Sequence, residues 1–209
     1  MKFAKWFFIS VLVLLFSVFL HECGHGIANS FAGIPCSTGF NRVGDIDKSP
    51  LDDDFRAFYS TAEPVLIDFG VPCTLVLSGL GAFIYAKSKK AKLQYFGASL
   101  AVSNSLLRLI PCLMVLLTTL LTGKVHIEDE YETGQLLVTK LGSEFWLYIP
   151  SILSVAVTGF SLFWVCKKAF ARKVKKLWLY GLVSFFSFGS GMMIASTLDK
   201  YLRINWPVG

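Results

Sequence analysis

Charge is scarce in this chain. Only 16% of its 209 residues are charged, against about a quarter in an ordinary soluble domain. Hydrophobic residues make up 54%, and phenylalanine alone contributes 19. A soluble protein of this size could not hide that much apolar surface, which excludes a water-exposed globular fold. Paired cysteines are missing as well. Cys23, Cys36, Cys73, Cys112 and Cys166 form no C-x-x-C spacing, and four of them lie in or beside apolar runs. That excludes a disulfide framework and leaves small buried hydrophobes. There is no tandem repeat and no low-complexity linker. No small-x-small cleavage site follows the first apolar run, so its basic start (Lys2, Lys5) belongs to a span and not to a signal peptide. Glu22 stands before Cys23, where a lipoprotein would need a small residue.

What is present is a series of long apolar runs. They are read at 3–28, 64–86, 93–122, 144–166 and 177–198, each about the ~20 residues that cross a bilayer as a helix. Backbone groups in lipid must pair within the segment, so the expected fold is all-α. It is an integral membrane bundle of five transmembrane helices, one domain over residues 1–209 with no room for a separate soluble one. Pro111 predicts a kink or tilt in the third span.

The net charge is +6, but the basic residues sit in short loops between spans. Lipid headgroups and topology account for them, and nucleic acid is not an expected partner. The N-terminal tip, the second loop (87–92) and the fourth loop (167–176) carry 12 of the 20 basic residues and no acid. Because these segments alternate along the chain, they share one side. The positive-inside rule makes that side cytoplasmic. The expectation is a multi-pass protein with a cytoplasmic N-terminus and an extracytoplasmic C-terminus.

Two of the chain's three histidines fall in His21-Glu22-Cys23-Gly24-His25, near the end of the first span. On a helix, positions four apart share a face, so His21 and His25 can hold one zinc ion. Glu22 beside them can act as general base toward a water that the metal activates. Ionisable groups inside an apolar helix are costly and read as functional. A catalytic zinc takes a third protein ligand. The third loop, reaching the same side, offers His126 and three carboxylates in Lys124-Val125-His126-Ile127-Glu128-Asp129-Glu130. Asp129 is the first choice, with His126 and Glu130 as alternatives. In the first outer loop, Asp45-x-Asp47-x-Ser49 begins like a calcium loop. However, Pro50 stands at the turn glycine and Arg56 at the closing glutamate, so it reads as a solvated loop.

Asn104 and Arg108 share a face of the third span. Arg108 is expected to face the interior and pair with a carboxylate or backbone carbonyls. Asn104 is a candidate for binding substrate or supporting the metal site, against a purely structural interhelical bond. Gly70-Val71-Pro72, Ser78-Gly79-Leu80-Gly81 and Gly189-Ser190-Gly191 supply small residues for close helix packing.

The motif His21-Glu22-Cys23-Gly24-His25 resembles the site-2 protease family of intramembrane zinc metalloproteases. Gly70-Val71-Pro72 is similar to that family's Gly-x-Pro segment, and Asn104 to Pro111 resembles its Asn-to-Pro stretch. The likeness covers roughly residues 10–145, in the style of a small, divergent bacterial member. It lacks the inserted PDZ domain, and no Asp-Gly pair occurs. Asp129-Glu130, followed by Leu141-Gly142, looks like the variant of divergent relatives. The resemblance thus implies Asp129 as third ligand. It also implies a metal site toward the cytoplasm, whereas the charge pattern here puts the motif on the other side.

The expected function is zinc metalloendopeptidase activity on a membrane-protein or membrane-proximal peptide substrate. The rival readings are a catalytically silent relative that binds membrane proteins, and a metal transporter. The intact Glu22 and the scarcity of further intramembrane ligands weigh against them.

Overall fold

The computed structural model describes residues 2–44, 68–123 and 128–207. Among these, five helices are long and apolar enough to cross a membrane, as expected of a multi-pass membrane protein. They are α1 (Lys2–Phe31), α2 (Gly70–Lys87), α3 (Ala91–Thr122), α5 (Ile149–Ala171) and α6 (Leu177–Leu198). A shorter helix, α4 (Asp129–Leu141), lies between α3 and α5.

The interior of the bundle is small and polar, and its surface is large and apolar. The buried face of α2 reads Gly70, Thr74, Ser78, Gly81, Ala82 and Tyr85, at the three- and four-residue spacing of one helix face. The buried face of α5 reads Ser151, Ser154, Thr158, Ser161, Val165 and Ala169. Phe83, Phe160, Phe186 and Leu121 point outward, more than half exposed. Lipid gives helices no hydrophobic reason to associate, so close backbone approach and interhelical hydrogen bonds do that work. Ser78 and Ser105 hydroxyls bond at 2.9 Å, joining α2 to α3. Ser105 Oγ also donates to Thr158 O at 3.3 Å, joining α3 to α5. Asn104 Nδ2 donates to Ser17 Oγ at 2.9 Å, joining α3 to α1.

Successive spans run in opposite directions, so the bundle has two unlike ends. At the basic end, Arg172 donates to the carbonyls of Tyr85, Ala86 and Ser88, tying the α5–α6 turn to the α2–α3 turn. At the other end α1 leads into a small antiparallel sheet of β1 (Cys36–Thr38), β2 (Val43–Gly44) and β3 (Ile204–Trp206), in the order β2-β1-β3. Thr38 stands opposite both Val43 and Ile204. Asp199, just past α6, accepts from the backbone N–H of Phe40 at 2.6 Å and of Asn41 at 2.7 Å. The tail of the chain therefore clamps the hairpin that follows the His-Glu-Cys-Gly-His segment.

The second and fourth spans and one further element differ most from the sequence reading. The second span, expected from residue 64, has its helix from Gly70; residues 64–67 lie outside those described. The fourth was read at 144–166, but α5 runs Ile149–Ala171. Glu144–Leu147 instead forms a 3₁₀ turn, and Pro150 sits in the first turn of α5, where its missing N–H costs nothing. The third loop is largely helical. Asp129, Glu130 and Glu132 occupy the first turn of α4, Lys140 the last, and Gly142 ends it in the left-handed conformation. Each of these choices suits the helix dipole or the C-terminal cap.

Candidate metal centre

The centre lies where the end of α1 meets the starts of α2 and α4. His21 and His25 lie one turn apart on α1, both buried. Their Nε2 atoms approach to 3.1 Å. Asp129 Oδ2 lies 3.1 Å from His21 Nε2 and 3.8 Å from His25 Nε2. This is the one group of three metal-ligating residues among the described residues, with its ligand atoms within 4.8 Å of one another.

The other ring nitrogens have partners that set the tautomers. His25 Nδ1 is 2.8 Å from Asp68 Oδ1, which also accepts the Gly70 N–H at 3.0 Å. His21 Nδ1 is 3.1 Å from Thr74 Oγ1, and that hydroxyl donates to Gly70 O at 3.2 Å. With its proton already given to a carbonyl, the Thr74 oxygen can only accept from His21. Both imidazoles are thus oriented with N–H at Nδ1 and a lone pair at Nε2. Two imidazole lone pairs and a carboxylate oxygen then face one point, an arrangement that suits a bound cation. Ligands about 2.0–2.2 Å from a tetrahedral zinc stand about 3.3–3.6 Å apart. The observed 3.1, 3.1 and 3.8 Å bracket that spacing, so the residues present fit zinc.

Close approach of the backbone makes this possible. A Cβ on Gly24 would come within 2.7 Å of Gly70 N, and a Cβ on Gly70 within 2.7 Å of His25 Nε2. The two glycines let α2 begin directly against the motif.

Arg108 supplies the counter-charge. Pro111 has no N–H to give to the Leu107 carbonyl one turn below it. That carbonyl accepts from Arg108 Nε at 3.1 Å instead. The guanidinium is thereby aimed at α4, where Nη1 donates to Asp129 Oδ2 at 2.7 Å and to Glu130 Oε2 at 3.4 Å. Partial burial alone would raise the Asp129 carboxyl. The His25 and His21 imidazoles and the Arg108 guanidinium outweigh it and hold Asp129 well below the usual carboxylate range. Asp68 behaves likewise. Burial works against its ionised form, but His25 and the Gly70 N–H keep its pKa low.

A cavity of about 430 Å³ opens over the cluster. Glu22, 8% exposed, forms part of its wall. Arg108 and Glu132 line it from the bundle, and Asn41, Arg42 and Val43 line it from the hairpin. Burial, with Asp129 close by, raises the Glu132 carboxyl.

Of the residues singled out from sequence, the fold brings His21, Glu22, His25, Asp129 and Arg108 to this cavity. Glu130 is turned away from the imidazoles; it is fully buried against Arg108. His126 lies outside the described residues. Asn104 does not line the cavity. Its amide is used within the bundle, on Ser17 Oγ and on Leu100 O at 2.8 Å, which is the structural alternative. Asp68 and Thr74, which orient the two rings, were not singled out. The only hint was Gly70-Val71-Pro72 between them, marking where a helix could start against the motif.

No family model, curated protein or solved structure matches this chain. The class the fold defines is an all-helical, multi-span membrane bundle, and its cation-fitting cluster stands at one end.

Proposed function

We propose that the chain is an intramembrane zinc metalloprotease that hydrolyses peptide bonds in or beside the membrane. One observation carries the reading: three acceptor atoms, His21 Nε2, His25 Nε2 and Asp129 Oδ2, converge beside the buried Glu22. His21, His25 and Asp129 would hold the metal. A bound zinc supplies Lewis acidity, activating water and polarising a carbonyl. Glu22, in the cavity wall, takes the proton of the attacking water and passes it to the departing amine. Arg108 offsets the negative charge of Asp129 and Glu130. The carbonyls of a helical substrate are already hydrogen-bonded within the helix, so it unwinds locally before its carbonyl is accessible.

The substrate is the membrane-spanning or membrane-proximal part of another protein. The basic end of the bundle faces the cytoplasm, placing the cluster toward the opposite side. A transporter would need ligands spaced along a path. Among the described residues the metal-ligating cluster is confined to one end. A silent binder would have no use for Glu22 in the cavity wall.

The test is metal analysis combined with cleavage of a co-expressed single-span substrate. The expected result is one zinc per chain in the parent protein and in Glu22→Gln, with cleavage only in the parent. A purified protein without stoichiometric zinc overturns the reading. So does a Glu22→Gln variant that cleaves like the parent.

A further inference from the structure

A second cavity, of about 470 Å³, lies toward the basic end between α3, α5 and α6. Its α3 wall is Ala91, Ala98, Val102 and Leu106, and its α6 wall runs from Leu177 past Gly181 to Phe185. Trp6 and Tyr85 form its floor. α5 and α6 are consecutive, yet they share no extended interface. Their seam therefore leaves the cavity open sideways, toward the lipid. We propose that this groove binds one acyl chain of an anionic phospholipid, with the headgroup held at the basic turns. The proposal is independent of the metal cluster and its chemistry.

Shape selects the chain. At 1.5 Å per residue, the lining spans about 12 Å along α6 and about 22 Å along α3. The groove is elongated and apolar, as a flexible hydrocarbon tail requires. Its lining is almost wholly apolar; the exceptions include Ser184, whose hydroxyl already accepts from Trp6 Nε1 at 2.9 Å.

Charge selects the headgroup. The groove ends at Ala91 and Val174, within the two turns that carry ten basic residues and no acid over 87–92 and 167–176. Arg172 is committed to three backbone carbonyls and braces the two turns together. Lys173 and Lys176 flank Val174 in left-handed conformations, so the turn folds back with Val174 facing the groove. Lys167 and Lys168 lie over the Phe163 and Trp164 rings, and together the lysines of both turns give this end the positive charge that attracts a phosphate.

Gly181 offers the test. A Cβ there meets nothing within 4 Å, so a larger side chain can enter the groove without moving the backbone. Gly189, on the same helix but outside the groove, is equally open and serves as control. The full chain is reconstituted with increasing fractions of dibrominated phosphatidylglycerol or dibrominated phosphatidylcholine. Quenching of Trp6 is read as the difference from Trp6→Phe. The expected result is saturable quenching with at least about fivefold preference for phosphatidylglycerol. It is lost in Gly181→Phe and kept in Gly189→Phe. Should Trp6→Phe fail to fold, lipids retained by the parent and by Gly181→Phe are counted by native mass spectrometry, with the same contrast expected. Equal response to both headgroups, or indifference to Gly181→Phe, overturns the proposal. Cys166 also lines the groove. Its crosslinking in native membranes to a second copy, or to a helix of another protein, would overturn the proposal too.

Discussion

Arg108 donates to Asp129 Oδ2 at 2.7 Å, and that same oxygen lies 3.1 Å from His21 Nε2. One carboxylate oxygen thus joins a fixed cation to the candidate metal position. Arg108 also faces Glu130, which is 1% exposed. Removing the guanidinium would leave the buried Glu130 without this cation and Asp129 with the imidazoles alone.

Arg108→Met should therefore be severely destabilising, by about 3–5 kcal/mol, the usual cost of breaking a buried ion pair from one side. The check is thermal unfolding in detergent micelles. Arg108→Met combined with Glu130→Gln should recover part of the loss, because one stranded charge goes with it. Equal stability of single and double variants would show that Glu130 is not energetically coupled to Arg108.

Thr74 tests the orientation of His21 without touching a ligand. Thr74→Val keeps the shape and removes the acceptor at His21 Nδ1. Losing such a supporting hydrogen bond typically costs about 10–100-fold in metal affinity. Thr74→Ser should hold nearly parental affinity. Competition with a fluorescent zinc chelator measures both. If Thr74→Val binds zinc like the parent, the ring does not need that bond.

The pH dependence of the metal-free fold follows from Asp68 and Asp129. Both carboxyls sit below their usual range in the folded chain. Unfolded, they would titrate near about 3.9. Groups with a lowered folded pKa add stability that is complete above the unfolded value and lost as pH falls through the folded one. Melting temperature in the presence of chelator should therefore hold from pH 7 to about 5 and fall steeply below about 4. Asp68→Asn should start lower and fall less steeply. A flat profile down to pH 3 would contradict the ion pairing.

The fold was largely legible because lipid imposes one rule on every span, and long apolar runs obey it visibly. α6 occupies the expected 177–198. α4 was missed because it is too polar to register as a span, although its acidic first turn, Lys140 and Gly142 all mark a helix. The sheet was invisible for another reason. β1 and β2 are three and two residues long, and β3 lies about 160 residues away in sequence. At the site, His21 and His25 were legible because their partnership is local, one helical turn. Asp129 was reachable by topology, since its segment comes to the same end of the bundle. Asp68 and Thr74 were not, because nothing local distinguishes a ring-orienting carboxylate or hydroxyl from an ordinary one. Pro111 was read as a kink. Its larger effect, freeing the Leu107 carbonyl for Arg108, needs the third dimension.

Gly70 is the most demanding position at the centre, and it gives the sharpest contrast between two small changes. A Cβ at Gly70 would lie 2.7 Å from both Cε1 and Nε2 of His25, and 3.0 Å from His21 O. The ring cannot simply swing aside, because its Nδ1 is held by Asp68 at 2.8 Å. Either the ring tilts and misdirects Nε2, or α2 moves off α1. Gly70→Ala should therefore cost about 1–3 kcal/mol of stability, as overpacking does. It should also lower zinc affinity by at least about tenfold through displacement of the ligand atom. Gly79→Ala, on the same helix with nothing within 4 Å of the added carbon, should gain about 0.4–1 kcal/mol or stay neutral, with zinc affinity unchanged. Chelator competition and thermal unfolding on both variants decide the matter. If Gly70→Ala binds zinc as tightly as Gly79→Ala, the close approach of α2 to His25 is not what sets the metal geometry.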